Sequence, residues 1–300
     1  MTILLSCPYY PPYHWESFLK FLSLHLTKGI EAIYDQCYYR TVQCDNCHGW
    51  LKVTHCHSRH CLEITLSAEL QAVQDKILQQ IKVMFDLDHD PKVIVAFFQD
   101  QPFLSNIIKC YPGVRIPGSF NGFELAMRAI LGQQISVKAA TTLAGRMAAA
   151  FGTKIKTPWK DLTYLHPTAS VMARLEEKDL TCLGVIKTRA RCIIRLAQEI
   201  TTTTLSLDYN LDPEITIKHL ITLPGIGDWT AHYIALRALK WNDAFLKSDL
   251  VIRQSLGGLS ASKTEQISQA WRPWRSYATL YLWQKAIYQA ANQMNSFRVP

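Results

Sequence analysis

A proline and two glycines between helix-like segments constrain this chain more than any other feature. Residues 223–231 read Leu-Pro-Gly-Ile-Gly-Asp-Trp-Thr-Ala. Pro224 ends the first segment, and Gly225 and Gly227 permit backbone conformations that a side chain would forbid. The second segment opens at Asp228, which we expect to cap its N-terminus. The pattern predicts two helices joined by a tight hairpin.

Such a hairpin suits a phosphate ligand. Unpaired backbone N–H groups at the start of the second helix, together with exposed glycine amides, form a natural seat for a phosphate. Contacts of that kind hold a nucleic-acid backbone without reading its sequence. An ordinary connection between two packed helices has the same pattern, so the hairpin alone leaves both interpretations open.

The net charge favours a polyanionic partner. Thirty-two Lys and Arg residues against 24 Asp and Glu residues give a formal net charge of +8 and a pI near 9.0, which favours nucleic acid through steering and counterion release. With 300 residues, 48% of them hydrophobic, the chain is long enough for about two domains. No signal peptide pattern and no run of roughly 18 apolar residues is evident. We expect a cytoplasmic monomer without a membrane partner, nucleoid-associated if bacterial.

The cysteines raise the question of a metal. Nine cysteines lie between Cys7 and Cys192, an odd and scattered set that fits a reducing compartment. Residues 44–61 combine cysteines and histidines, which suggests a zinc site, even one with a regulatory role. Three strands at 42–44, 47–56 and 61–66 would, however, separate the two turns by roughly 30 Å, too far for shared ligands at about 2.3 Å. We expect strand and turn residues rather than a structural zinc, and leave open a local metal site at 55–61.

The chain divides into an α+β lobe and a helical remainder. Residues 1–90 mix strand patterns with helical stretches at 15–26 and 68–84. After that the helical period dominates, in the segments 123–131, 139–151, 188–200, 213–222, 228–240, 263–271 and 274–293. We predict an α+β fold, with an antiparallel sheet in an N-terminal domain over 1–90 and a mostly helical domain over 91–300, whose hairpin spans about 213–240.

Several separated segments resemble the AlkA-type 3-methyladenine DNA glycosylases of the helix-hairpin-helix superfamily. A lone aspartate, Asp249, follows the hairpin, and the other matching segments are 11–15, 123–136 and 271–278. Together they cover nearly the whole chain. The resemblance implies two helical subdomains with an active-site cleft between them. It also implies an enzyme of base excision repair that flips alkylated bases such as 3-methyladenine and 7-methylguanine out of duplex DNA and releases them.

An aromatic base pocket is indicated on the second hairpin helix. Trp229 and Tyr233 are four residues apart and therefore share a helix face. Aromatic faces hold a flipped, cationic alkylated purine by stacking and cation–π attraction, although two aromatics at this spacing are more often core residues. The resemblance adds Trp283 and Phe21 to the pocket and places Leu250 where its identity alters the pocket's shape.

The resemblance implies that Asp249 is catalytic. Cleavage of an N-glycosidic bond builds positive charge on the sugar, and a nearby carboxylate stabilises that charge while it orients or deprotonates the attacking water. An alkylated purine is already a cationic leaving group, so a strong general acid is not needed. Alternatively, Asp249 is the N-cap of the segment 250–256, and the two roles are compatible.

Further residues are assigned to DNA contacts by the resemblance. The residues expected to bind DNA are Gln133, Gln134, Gly225, Gly227 and Thr230. Gln134 would fill the gap that the flipped nucleotide leaves, a place where some members have an apolar residue. A monovalent cation, sodium or potassium, would bridge to a DNA phosphate from the backbone carbonyls of Ile221, Leu223 and Gly225.

Two absences narrow the predicted chemistry. Relatives that also cut the DNA strand have a lysine where this chain has Trp229, because Schiff-base chemistry needs an amine. No cysteine follows Cys192, so the resemblance implies no C-terminal iron–sulfur cluster. We therefore predict a monofunctional glycosylase that needs no catalytic cofactor and leaves an abasic site. A non-catalytic hairpin protein that binds DNA, and a same-fold glycosylase for oxidised or deaminated bases, remain alternatives.

Overall fold

The N-terminal lobe is built on a five-stranded antiparallel sheet. A computed structural model describes residues 2–209 and 211–296, with side chains described up to residue 287. The strands are β1 (Thr2–Pro8), β2 (Glu31–Tyr34), β3 (Cys37–Cys44), β4 (Cys47–Cys56) and β5 (Cys61–Ser67). They are arranged in the order β1-β5-β4-β3-β2. Strands β1 and β2, which were not predicted from the sequence, form the two edges of the sheet and pair on one side only.

The predicted meander of β3, β4 and β5 is confirmed. Cys44 pairs with Cys47 at one turn and Cys56 pairs with Cys61 at the other. These turns lie at opposite ends of β4, which is 10 residues long. Across the described ranges, no group of three or more His, Cys, Asp or Glu side chains is placed to hold a metal ion.

Two helices cover one face of the sheet. They are α1 (Trp15–Ser23) and α2 (Gln74–Phe85), the latter preceded by a 3-10 helix over Ala68–Val73. Residues such as Phe18 and Phe85 pack against the strands to form the core of this lobe. Asp86 ends α2 in the left-handed region with a φ of 56°, and this directs its carboxylate into the interior, where it is 2% exposed.

The rest of the described chain is mostly helical, as predicted. Its helices are α3 (Pro91–Phe98), α4 (Ser105–Cys110), α5 (Gly122–Leu131), α6 (Val137–Phe151), α7 (Ala169–Met172), α8 (Glu177–Thr181), α9 (Lys187–Thr201), α10 (Pro213–Thr222), α11 (Asp228–Arg237), α12 (Leu250–Ser255), α13 (Ala261–Ser268) and α14 (Arg275–Ser296). The α+β fold is thus confirmed. Short helices such as α7 and α8 escaped the sequence analysis because four or five residues do not establish a helical period. None of the described helices is long and apolar enough to cross a membrane.

The start of the second hairpin helix corrects one prediction. Gly227, not Asp228, is the N-cap of α11, and no side chain caps this helix. Asp228 is instead its first helical residue, where an acidic side chain still interacts favourably with the helix dipole. Gly227 takes the cap position because its backbone is extended, with φ −95° and ψ 176°. Since glycine has no side chain, the backbone amides at the start of α11 stay uncovered.

Buried polar contacts fix the N-terminal lobe against the helical part. Arg40 on β3 forms a salt bridge of 2.8 Å with Glu124 on α5. Asp86 accepts hydrogen bonds of 2.8 Å from both Lys240 and Tyr277. Arg237 on α11 lies over the ring of Phe21 on α1 at 5.0 Å, so the N-terminal lobe contributes residues to the central cavity.

Candidate active site

A cavity of about 480 Å³ lies between the end of α1 and helices α5, α11 and α14. Its aromatic walls are Phe21, Trp229, Tyr233 and Trp283, and Asp249 lies at its edge. All five were predicted from the sequence as site residues, and the structure brings them together. A groove of about 700 Å³ beside the hairpin has neither an aromatic residue nor Asp249 in its lining, so the smaller cavity is the candidate site.

The aromatic rings form a layered wall. Trp229 and Tyr233 stack with ring centroids 5.1 Å apart and planes at 12°. Phe21 and Trp283 lie 6.5 Å apart with planes at 17°, and Tyr233 approaches Trp283 at 6.3 Å. Flat faces arranged in this way can hold a planar, electron-poor ring by stacking.

Asp249 is held by three N–H donors. Its Oδ2 accepts from the indole of Trp229 at 3.0 Å. Its Oδ1 accepts from the indole of Trp283 at 3.2 Å and from the backbone of Ile252 at 3.0 Å. The last contact makes Asp249 the N-cap of α12, so the capping role predicted as an alternative is confirmed. The three donors hold the carboxylate in a fixed orientation.

Leu250 does not lie against the cavity. It is 63% exposed, whereas Val251, one residue further along α12, is part of the cavity lining. The reason is local, because the first residue after the N-cap of α12 points away from α11 and α14. The expectation that Leu250 shapes the pocket is therefore replaced by a role for Val251.

The polar residues near the rings, His25 and Arg237 among them, were not predicted from the sequence. His25 lines the cavity and stacks on Phe21 with ring centroids 4.4 Å apart. Arg237 is buried behind the rings and donates to the hydroxyl of Tyr233 at 2.7 Å. The spacing of four residues from Phe21 to His25 and from Tyr233 to Arg237 was the available signal, since such pairs meet on a helix.

Gln133 fastens the loop between α5 and α6 to the hairpin. Its Nε2 donates to the carbonyl of Gly225 at 2.8 Å and to the hydroxyl of Thr230 at 3.1 Å. Arg189 in turn donates to the Gln133 carbonyl. The side chains of Gln133 and Thr230 are thus engaged with each other, and their DNA contacts stay predictions.

Gln134 and the hairpin glycines present free surface beside the cavity. Gln134 is exposed at the tip of the loop, with a φ of 55°. Gly225 requires its lack of a side chain, because its φ is +97° and a Cβ would lie 3.1 Å from the Cβ of Cys192. A Cβ on Gly227 would meet nothing within 4 Å, so this position faces open space beside the N-terminus of α11.

Comparison with known proteins identifies the class. Residues 4–121 match the family model of the AlkA N-terminal domain, and residues 127–275 match that of the HhH-GPD superfamily of base excision DNA repair proteins. The chain is 34% identical to DNA-3-methyladenine glycosylase 2 of Escherichia coli, over 91% of this chain and 94% of that protein. It therefore belongs to the helix-hairpin-helix superfamily of base excision DNA repair proteins. Within that superfamily it is a member of the AlkA family.

Solved structures show the same fold. A 3-methyladenine DNA glycosylase from Archaeoglobus fulgidus has a TM-score of 0.82 and 21% identity, with 95% of this chain and 98% of that chain covered. An 8-oxoguanine glycosylase/lyase from Clostridium acetobutylicum, solved with double-stranded DNA, has a TM-score of 0.69 and 18% identity, with 88% and 89% covered. One backbone arrangement thus carries different base specificities, so the cavity residues decide the substrate.

Proposed function

We propose that this protein is a DNA glycosylase that hydrolyses the N-glycosidic bond of alkylated bases in duplex DNA, as a step of base excision repair. The observation that carries the proposal is the Asp249 carboxylate, held by Trp229 and Trp283 at the edge of an aromatic cavity. Family membership and the activity named for the Escherichia coli relative support the same reaction. The bases expected are of the 3-methyladenine and 7-methylguanine type.

The cavity is suited to a flipped base. An enzyme that acts on a base within a duplex must extrude that nucleotide into a pocket. The walls provided by Trp229, Tyr233 and Trp283 would stack on the base, and alkylation at N3 or N7 gives the purine a positive charge that strengthens its attraction to aromatic faces.

Asp249 would stabilise the transition state. As the bond to the base breaks, positive charge develops on the sugar, and the Asp249 carboxylate would oppose that charge and orient the attacking water. One such charge at ~4 Å and an effective dielectric constant of ~20 contributes about 4 kcal/mol. This corresponds to roughly a thousandfold in rate.

The reaction would stop at the abasic site. No lysine or cysteine is present among the described residues that line the cavity, and Trp229 stands where a lyase has its amine. Without an amine there, attack on the sugar falls to water and the DNA strand stays intact.

The DNA would lie across the hairpin and the loop 132–136. The uncovered amides of Gly227 and the first turn of α11 suit a phosphate. The exposed side chain of Gln134 would fill the gap in the base stack that the flipped nucleotide leaves.

Ile221, Leu223 and Gly225 supply hairpin carbonyls. Those of Leu223 and Gly225 each accept one hydrogen bond, from Ile226 and Gln133, and keep a second lone pair that fits a monovalent cation. When bound, a sodium or potassium ion there would add a positive charge facing a DNA phosphate. We expect the protein to act as a monomer.

Base release from methylated duplex DNA tests the proposal. Wild type should release free alkylated base, and strand breaks should appear only after alkali. Asp249→Asn should lose about a thousandfold in rate while it retains binding to a duplex with an abasic-site analogue, because asparagine preserves the N-cap. Asp45→Asn, a change of an exposed aspartate in the β3–β4 turn, is the matched control and should be fully active.

The outcomes separate the alternatives. Near-normal release by Asp249→Asn would remove Asp249 from its role. Nicks before alkali would contradict a monofunctional reaction. Tight DNA binding without release of any methylated base would favour a glycosylase for oxidised or deaminated bases, to be assayed next, or a protein that binds DNA without catalysis.

A further inference from the structure

His25 faces the cavity but has no part in the chemistry derived above. It follows the end of α1 by two residues, stacks on the Phe21 ring with planes at 22°, and lines the cavity. Its position beside Phe21 and Trp283 places it against the space that a flipped base would fill.

The hydrogen bonds of His25 define which of its ring nitrogens is free. Nδ1 lies 2.7 Å from the backbone carbonyl of Phe21. A carbonyl oxygen only accepts, so Nδ1 carries the proton, and Nε2 of the neutral ring is left with a lone pair. Burial and the positive charge of Arg237 lower the pKa of His25 to about 3, so the ring is neutral at physiological pH.

The other acceptor side chains of the cavity already accept hydrogen bonds from within the protein. Among the described residues that line it, the acceptor side chains are those of His25, Tyr233 and Asp249. The Tyr233 hydroxyl accepts from Arg237 at 2.7 Å, and Asp249 accepts from its three donors. Nε2 of His25 has no donor within the part of the chain that the structure describes. Nε2 of this half-buried side chain is accessible, so a base that supplies a donor can form a hydrogen bond with it.

We propose that Nε2 of His25 accepts a hydrogen bond from an N–H group of the flipped base, which makes His25 a specificity-determining residue. The inference rests on the proposed function and deepens it. The substrates favoured are alkylated purines that keep an exocyclic amino group or a ring N–H, over modified bases without any N–H. Alkylation strengthens the preference, because the positive charge of the base makes its N–H groups stronger donors.

Two modified bases and three variants test this role. Single-turnover release is measured for 7-methylguanine, which carries N–H groups, and for 1,N6-ethenoadenine, which carries none. His25→Phe preserves a ring that can stack on Phe21 but removes the acceptor. It should reduce release of 7-methylguanine about tenfold more than release of ethenoadenine, the ratio expected for one lost hydrogen bond to a charged group. His25→Gln, whose amide oxygen reaches the place of Nε2, should restore most of the wild-type preference for 7-methylguanine over ethenoadenine.

His57→Phe is the matched control, since His57 is an exposed histidine in the β4–β5 turn and does not line the cavity; it should leave the ratio unchanged. Thermal unfolding and binding to an abasic-site duplex show whether each variant is folded. Equal losses on both bases in His25→Phe, or no recovery in His25→Gln, would overturn the acceptor role while the glycosylase function stands. Release of neither base by the wild type would instead refute the proposed function, and this inference with it.

Discussion

Trp229 donates a hydrogen bond from its indole Nε1 to Oδ2 of Asp249 across 3.0 Å, and the same indole stacks on Tyr233. One side chain therefore joins the wall of the cavity to the carboxylate. Because Trp283 contacts Asp249 from the opposite helix, the carboxylate is fixed relative to both walls before any ligand arrives. Preorganisation of this kind is what makes a charge effective in catalysis.

Removal of one indole donor should therefore slow base release more than it weakens DNA binding. Trp229→Phe keeps an aromatic face toward Tyr233 but loses the hydrogen bond to Asp249. A bond to a charged group contributes about 1.5–3 kcal/mol, so we expect the rate of release to fall roughly 10-fold to 100-fold. Single-turnover kinetics and binding to an abasic-site duplex measure the two effects. Trp50→Phe, which alters a tryptophan outside the cavity, should leave the rate of release and the affinity for DNA within twofold of wild type. If Trp50→Phe slowed release as much as Trp229→Phe, lost packing and not the lost hydrogen-bond donor would be responsible.

The two roles of Asp249 should separate in stability measurements. Asparagine preserves the N-cap of α12 but alanine does not, so Asp249→Ala should lose about 1 kcal/mol of unfolding free energy that Asp249→Asn retains. Both variants should lack base release. Urea unfolding with a constant m-value provides the comparison. Equal stability of the two variants would show that the hydrogen bond to Ile252 contributes nothing to the fold.

Gln133 and Gln134 should behave differently although they are adjacent. Gln133→Ala breaks two hydrogen bonds to the hairpin and should destabilise the protein by about 1–3 kcal/mol. Gln134→Ala changes an exposed side chain, should alter stability by less than about 0.5 kcal/mol, and should slow release of a base paired in duplex DNA. The same base in single-stranded DNA should be released equally by wild type and Gln134→Ala, because no stack has to be filled there. Loss on both substrates would argue against insertion of Gln134 into the duplex.

Asp86 should make the fold sensitive to acid. Burial alone would raise the pKa of Asp86, but the charges and hydrogen bonds of Lys240 and His89 outweigh it and hold that pKa well below its ordinary value. A depressed pKa in the folded state stabilises the protein above the unfolded pKa of about 3.9, and this stabilisation is lost as the pH falls through and below that value. Asp86→Asn leaves the buried Lys240 unpaired and should cost about 3–5 kcal/mol at pH 7.

Urea unfolding at pH 7, 5 and 3 measures this dependence. Wild type should lose stability between pH 5 and 3, and Asp86→Asn should lose less over that interval. Asp45→Asn, which removes an exposed ion pair with Lys76, should change stability by less than about 1 kcal/mol. Parallel pH curves for wild type and Asp86→Asn would show that other carboxylates account for the acid sensitivity.

Much of the fold was predictable because its causes are local. The strands β3 to β5 and long helices such as α6 and α9 follow from periodic patterns that are complete within each segment. The edge strands β1 and β2 were not singled out, and helices as short as α7 are too brief to show a period. Gly227 rather than Asp228 caps α11 because the extended backbone between the two glycines, not side-chain preference, sets where that helix begins.

The sequence by itself identified the family, the hairpin, and Asp249 and the four aromatic residues as candidate site residues, because these features depend only on the order and spacing of residues along the chain. Only the tertiary structure decided that two indoles hold Asp249, that Gln133 ties the loop to the hairpin, and that His25 lines the cavity with its Nδ1 bonded to the Phe21 carbonyl. These contacts join residues from 20 to 92 positions apart, or depend on the orientation of one ring. Spacing along the chain reports which residues share a helix face, but contacts between helices depend on how the two lobes pack.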